Sequence, residues 1–261
     1  MAKNKGVPKE DIAAIYYDDE KKEQLIFTKS QLINQLSKIC PKIAVSFDKV
    51  YEKEFRELSA ELSSILPKQF IGFKEVVDEK DELRVCCGSL LRNASNTFMA
   101  STDLLRNGFR FQSGILIRSI IEMCATVVHL LVDQKAFGDF QSDKLKSTYS
   151  VSVADKQVPL FGKVWGLLSK FNIHVNTNHA DWYPMNEYTD KEEVPSSVIL
   201  GILGYSLLLL DIVTELTFFH QLGELNYWKQ LDKPGMLQFI PPAESRTEWA
   251  KSMLDRKPKN S

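Results

Sequence analysis

The stretch that decides the fold runs from Asp78 to Asp133, where two apolar helical patterns meet at Arg106-Asn107-Gly108. Its second half reads Phe109-Arg110-Phe111-Gln112-Ser113-Gly114-Ile115-Leu116-Ile117-Arg118-Ser119-Ile120-Ile121-Glu122. Gly108 can adopt the left-handed conformation that ends many helices. Because so short a connection makes two helices antiparallel neighbours, the sequence predicts an antiparallel helical hairpin.

The second helix of this hairpin carries its polar side chains along one line. At about 100° per residue, Glu122, His129 and Asp133 all fall within about 60° of Arg118, and the opposite half is apolar. One interpretation is a charged pair in a cleft, in which Arg118 binds a phosphate and Glu122 orients it. The other is a solvated ion pair one turn apart, worth a few tenths of a kcal/mol. The pattern fits both.

Composition favours a helical protein with a large core. The 261 residues are 44% hydrophobic and 26% charged, which is typical of a folded chain. Glycine (12) and proline (10) are too scarce for an all-β sandwich, which needs frequent turns. We therefore expect an all-α fold, a helical bundle around the antiparallel hairpin. The net charge of -1 gives no global basic field for nonspecific binding of nucleic acid.

Several patterns indicate a cytoplasmic protein that does not contact a membrane. The N-terminal residues 1–9 lack the apolar core of a signal peptide. The uncharged run 198–210 is shorter than the about 20 residues of a spanning helix, so it predicts a buried core helix. Four cysteines without CxxC spacing are expected to be small buried side chains in a reducing compartment: Cys40, Cys86, Cys87 and Cys124.

The chain divides into three predicted parts. Residues 1–77 form an N-terminal arm and helices packed on the bundle, 78–223 form the helical core, and 224–261 form a C-terminal extension with a basic tail. In the first part, the β-prone runs Ile12–Tyr17 and Gln24–Phe27 predict a small β-hairpin or an extended arm.

Prolines and polar runs suggest where the remaining helices end. Pro41 and Pro67 are each expected to interrupt a helix, which makes 68–77 a connector. The polar region 134–158 is interpreted as a loop with one short helix, and Pro159 as the start of a helix over 160–170. The last strong helix is expected over 196–222, and the end of the tail is expected to fray.

A polar segment without helical period runs from Phe171 to Pro184, before the predicted helix 196–222. His174 is the candidate general base or acid of this loop, because a histidine titrates near neutral pH. Asn172, Asn176 and His179 are candidate binding residues; the alternative is a structured loop without chemistry. His174 and His179 could ligate a metal only with a third ligand from elsewhere, so no metal site is predicted.

Two further histidines, His129 and His220, lie in apolar contexts, and each is expected to be buried or half-buried with its polar atoms satisfied by a neighbour. The chain contains no GxxxxGK[ST], GxGxxG, GxSxG, HExxH or EF-hand pattern. These absences leave nucleotide hydrolysis, dinucleotide chemistry and standard serine or zinc hydrolysis without support, and no cofactor is predicted.

Two motifs in order resemble an uncharacterised bacterial group within the HEPN-like helical proteins. The first is Leu104-Leu105-Arg106-Asn107-Gly108 followed by Leu116-Ile117-Arg118-Ser119-Ile120-Ile121-Glu122. The second, similar to a motif in which a serine precedes a histidine, is Leu167-Leu168-Ser169-Lys170-Phe171-Asn172-Ile173-His174. The resemblance covers 84–179.

The resemblance implies a bundle of four or five helices, commonly a homodimer, from bacterial toxin–antitoxin or antiviral defence systems in which many members cleave RNA without a metal. Carried over by position, Arg118 and Glu122 would lie at the base of a cleft that His174 enters from the loop, and these three are the candidate catalytic residues. Active members carry an arginine followed after four to six residues by a histidine, and no such pair occurs here.

Two hypotheses follow. The chain is an RNA-binding or RNA-cleaving protein of this type, or it is a noncatalytic helical module, such as a sensor or inhibitor subunit, that binds a protein partner.

Overall fold

The structure is a computed structural model that describes residues 7–168, 185–189, 194–232 and 236–254. The predicted all-α class is confirmed, with a small N-terminal hairpin. The first half comprises β1 Ile12–Asp18, β2 Glu23–Thr28, α1 Gln31–Asn34, a π-helical turn Gln35–Ile39, α2 Cys40–Val50, α3 Glu52–Asp78 and α4 Glu82–Arg106. The second comprises α5 Arg110–Val132, α6 Lys135–Gln141, α7 Ser147–Gln157, α8 Leu160–Leu168, α9 Val194–Thr217, β3 Trp228–Gln230, β4 Leu237–Phe239 and α10 Glu244–Leu254.

Helices α4 and α5 form the predicted antiparallel hairpin and share the most extensive interhelical contact of the described chain. Asp81 caps α4 by accepting a hydrogen bond from the Arg84 amide at 2.9 Å. At the other end Gly108 has φ 90°, and its amide donates to the Leu105 carbonyl. This is the left-handed closure that the glycine predicts, and it turns the chain directly into α5.

Helix α9 lies at the centre of the bundle and contacts α3, α4, α5, α8 and α10. Two segments, Arg110–Val132 and Ser196–Thr217, are long and apolar enough to cross a membrane by length and composition. In the fold their most apolar windows are 56% and 100% buried by other parts of the chain. This burial explains the apolar composition, because a core helix is surrounded by the apolar faces of its neighbours.

The two proline predictions had different outcomes. Regular α-helix is interrupted before Pro41, because α1 ends at Asn34 and the π-helical turn Gln35–Ile39 separates it from α2, whose first turn contains Pro41. The prediction for Pro67 was wrong. Pro67 lies inside α3, which continues to Asp78, so residues 68–77 are helix and not a connector. Burial of Gln69, Gly72 and Val76 beyond the proline offsets the about 3 kcal/mol that an interior proline costs.

Two other boundaries differ from the predictions. Region 134–158 contains two helices, α6 and α7, because Val151 and Ala154 bury one face of α7 against α5. Helix α9 ends at Thr217 and does not reach Leu222. In the C-terminal extension, α10 packs on α9, and the end of the tail lies outside the described residues.

The predicted N-terminal β-hairpin is confirmed. Strands β1 and β2 pair antiparallel with Ile15 opposite Ile26 and Tyr16 opposite Leu25. Every residue of both strands is exposed or half-buried, so the described part of the bundle covers neither face of the hairpin.

Candidate functional site

The arginine and glutamate predicted from the helical pattern meet on α5. The Arg118 Nε donates to Glu122 Oε1 at 2.9 Å, and the two side chains are 30% and 26% exposed. The pair therefore lies neither in open solvent nor in the core. It sits at the edge of the bundle, where one side of the guanidinium meets protein.

That protein side is Trp165 of α8. The Arg118 Cζ atom lies 4.7 Å from the centroid of the indole ring, within the range of a cation–π contact. Glu122 holds Nε and Trp165 covers a face, so the orientation of the guanidinium is fixed. Among the described residues, no hydrogen bond engages its two terminal nitrogens.

His129 continues the polar line of α5 into the core. It is 2% exposed, its Nδ1 lies 3.0 Å from Ser150 Oγ, and Tyr149 packs against its ring. Burial lowers the pKa of His129, against the opposing effect of Asp133 and Asp139, and so favours the neutral imidazole. The expectation of a buried, hydrogen-bonded histidine is confirmed here. It was wrong for His220, which follows the end of α9 and is exposed.

The remaining candidates lie outside the described residues: Asn172, His174, Asn176 and His179. The described chain on either side of them contacts the α4–α5 hairpin. Helix α8 ends three residues after Trp165, at Leu168. On the other side, the Tyr188 hydroxyl donates to the Leu105 carbonyl, and its ring lies 4.4 Å from the Arg110 guanidinium carbon. Arg110 and Arg118 are about 12 Å apart along the helix axis.

A second charged cluster, which the sequence analysis did not identify, lies between α3, α9 and α10. The Lys68 Nζ donates to Asp211 Oδ1 at 2.7 Å and to Glu215 Oε1 at 2.9 Å. Both carboxylates are almost fully buried, at 1% and 0% exposure. Arg246 of α10 completes the cluster, with its Nη2 3.6 Å from Asp211 Oδ2 and 3.0 Å from Glu61 Oε2.

The surroundings of this cluster indicate a structural role. The second oxygen of Glu215 accepts the backbone amides of Asn226 and Tyr227, each at 2.9 Å. Burial raises the pKa of Asp211 despite Lys68, while for Lys68 the effect of burial is outweighed by its carboxylate partners, which raise its pKa. Two cations thus neutralise two buried acids and hold three helices together.

A sequence signal for this cluster existed. Asp211 and Glu215 are one helical turn apart in a strongly apolar helix, and acids are almost never fully buried unless they are paired.

The cysteines are free thiols, and Cys40, Cys87 and Cys124 are buried. Burial raises the pKa of Cys124 to about 12 and also raises the pKa of Cys87, so neither is a thiolate nucleophile near neutral pH. Within the described ranges, no group of three or more His, Cys, Asp or Glu side chains could hold a metal ion.

No family model, curated protein or solved structure matches the chain. Any function inferred for the chain therefore depends on the geometry around Arg118.

Proposed function

We propose that this chain is an RNA-binding protein of the HEPN-like type, from a bacterial toxin or antiviral defence system, and that Arg118 contacts an RNA phosphate. The observation that supports the proposal is the fixed, half-exposed guanidinium between Glu122 and Trp165. An arginine held by Nε and one face still presents two terminal nitrogens in one plane. The geometry of these two coplanar N–H donors matches two oxygens of a phosphate group.

Cleavage would require a histidine near this phosphate. Among the described histidines, His129 is buried and hydrogen-bonded to Ser150. His220 lines a surface cavity with Leu131 and Val132, about 20 Å from Arg118 along α5. We therefore assign general acid–base chemistry to His174, with His179, Asn172 and Asn176 as binding residues. Such chemistry would act on the ribose 2′-hydroxyl or the leaving oxygen.

The test of binding compares Arg118→Ala with wild type by fluorescence anisotropy, using single-stranded and hairpin RNA. A lost charge-assisted contact predicts affinity weaker by about ten- to a hundredfold, since such hydrogen bonds contribute about 1.5–3 kcal/mol. Arg56→Ala is the matched control, because Arg56 forms the same kind of pair with Glu52 on an exposed face. Equal affinities for wild type and Arg118→Ala would refute the proposal.

Cleavage is tested separately with His174→Ala. This variant should bind RNA like wild type and lose cleavage, and addition of EDTA should leave the wild-type rate unchanged. If RNA is bound but never cut, the chain is a binding protein without nuclease activity. If the two proteins cut equally fast, the role of His174 is wrong.

The second candidate function, a noncatalytic interaction module, is favoured by a different observation. Apolar side chains are exposed along the N-terminal β-hairpin and the helical turns that follow it. A wild-type protein that binds no RNA at low salt would support this alternative.

A further inference from the structure

The N-terminal arm, residues 12–39, exposes an unusual amount of apolar surface. Ten large hydrophobic side chains in this segment are at least 40% exposed: Ile15, Tyr16, Tyr17, Leu25, Ile26, Phe27, Leu32, Ile33, Leu36 and Ile39. Monomeric soluble proteins rarely expose a contiguous apolar patch larger than a few hundred Å². The arm therefore has the character of an interface whose partner is absent.

The hairpin part of the arm is apolar on both faces. Ile15 and Ile26 pair on one face, and Tyr16 and Leu25 pair on the other. A two-stranded hairpin is at best marginally stable in water without further packing. No residue of either strand is buried, so the described part of the chain does not supply the packing that such a hairpin needs.

The helical part of the arm continues the apolar core outwards. The exposed fraction is 70% at Leu32, 51% at Leu36 and 40% at Ile39, and it falls to 1% at Ile43 inside the bundle. These residues recur at helical spacing and form one stripe. A partner seated on the arm would therefore bury a surface continuous with the core.

The area of the arm suits a stable dimer. A large apolar side chain has a full surface on the order of 200 Å², so ten half-exposed ones present about 1,000 Å². A standard protein–protein interface buries about 800 Å² on each partner. Counted over both faces of the hairpin and the helical stripe, the arm presents an apolar area of that order.

The charges of the arm favour a second copy as the occupant. Residues 12–39 contain four lysines and four acids, so two arms do not repel each other. In the turn, Asp18, Asp19 and Glu20 precede Lys21 and Lys22. In a twofold-symmetric dimer every contact between two different residues occurs twice. The acids in the turn of each copy can therefore lie against the lysines in the turn of the other copy. A membrane-binding arm would carry an excess of lysine and arginine.

We propose that the chain forms a twofold-symmetric dimer in which the arm, residues 12–39, packs against the arm of a second copy. The inference does not depend on RNA binding. It predicts that the 261-residue chain is a dimer at micromolar concentration.

The first test is size-exclusion chromatography with light scattering on residues 1–261. Wild type should be a dimer, and Ile33→Asp and Tyr16→Asp should each be a monomer with an unchanged far-UV circular dichroism spectrum. Phe70→Asp is the matched control, because Phe70 is 73% exposed on α3, outside the arm; it should remain a dimer. A monomeric wild type, or arm variants that stay dimeric, would overturn the proposal.

The second test needs no substitution and so remains informative if a variant misfolds. Hydrogen exchange of wild type is measured at two concentrations on either side of the dissociation constant. Backbone amides of 12–28 should lose protection on dilution by at least tenfold, while those of α4 and α5 keep theirs. Unchanged protection of the hairpin across the dimer-to-monomer transition would locate the interface elsewhere and refute the proposal.

Discussion

His129 illustrates how one buried side chain makes stability depend on pH. Burial lowers its pKa below the ordinary value of 6.5, because the cation would lose its hydration inside the bundle. Below pH 6.5 the unfolded chain therefore binds more protons at this position than the folded chain. The contribution of His129 to stability is complete above that pH and is lost as the pH falls towards its folded-state pKa.

We predict that His129→Gln flattens the dependence of the melting temperature on pH between pH 7 and 5. Glutamine can hydrogen-bond to Ser150 and does not titrate in this range. One group changes the free energy of unfolding by at most about 1.4 kcal/mol per pH unit. His220→Gln is the control and should keep the wild-type profile, because His220 is exposed. Parallel profiles for wild type and His129→Gln would contradict the argument.

At the same scale, the sequence predicted the Arg118–Glu122 pair but not its environment. A helical pattern gives the angle of a side chain about its own axis and says nothing of the neighbour it meets there. Trp165 lies 47 positions further along the chain, and only the packing of α8 on α5 brings it to Arg118. For the same reason, the sequence did not predict the ion pairs of Lys68, whose partners lie on α9.

At the scale of elements, a helix end was predicted correctly where the backbone conformation of a single residue decides it. Gly108 ends α4 as predicted, since a left-handed residue is needed there and glycine adopts that conformation readily. Pro67 did not end α3, because core contacts on both sides of the proline favour a continuous helix. Tyr51 provides the break instead, with φ −113° and ψ 28° between α2 and α3, and its ring packs on Phe47 and Tyr188.

Helix α3 packs closely against Phe218, which follows the end of α9, and this contact can be tested by substitution. A Cβ atom at Gly72 would lie 2.2 Å from Phe218 Cγ, and Phe218 is fully buried. Gly72→Ala should therefore lower the free energy of unfolding by about 1–3 kcal/mol, as overpacking does.

Gly138→Ala is the matched control for Gly72→Ala. Gly138 lies in α6 with nothing within 4 Å of the added methyl, so alanine should raise the free energy of unfolding by about 0.5–1 kcal/mol. Urea unfolding of both variants measures the two effects. Changes of the same sign would contradict the packing of α3 against Phe218.

At the scale of the whole molecule, the cluster around Lys68 connects distant parts of the chain. Lys68 comes from the N-terminal helices, Asp211 from the core and Arg246 from the C-terminal extension. The cluster therefore contributes to the stability of the fold as one unit. It also accounts for the order of α10, whose Arg246 reaches Asp211 and Glu61.

This arrangement predicts a large effect from one substitution. Lys68→Met leaves the buried carboxylates of Asp211 and Glu215 without their shared cation, and removing one partner of a buried pair costs about 3–5 kcal/mol. Urea unfolding should show that loss, whereas Arg56→Met should change stability by less than about 0.5 kcal/mol, because its pair with Glu52 is exposed. Adding Asp211→Asn to Lys68→Met should recover part of the loss, since it removes one of the two buried negative charges that Lys68 no longer neutralises. If Lys68→Met is no more destabilising than Arg56→Met, the cluster does not hold α3, α9 and α10 together.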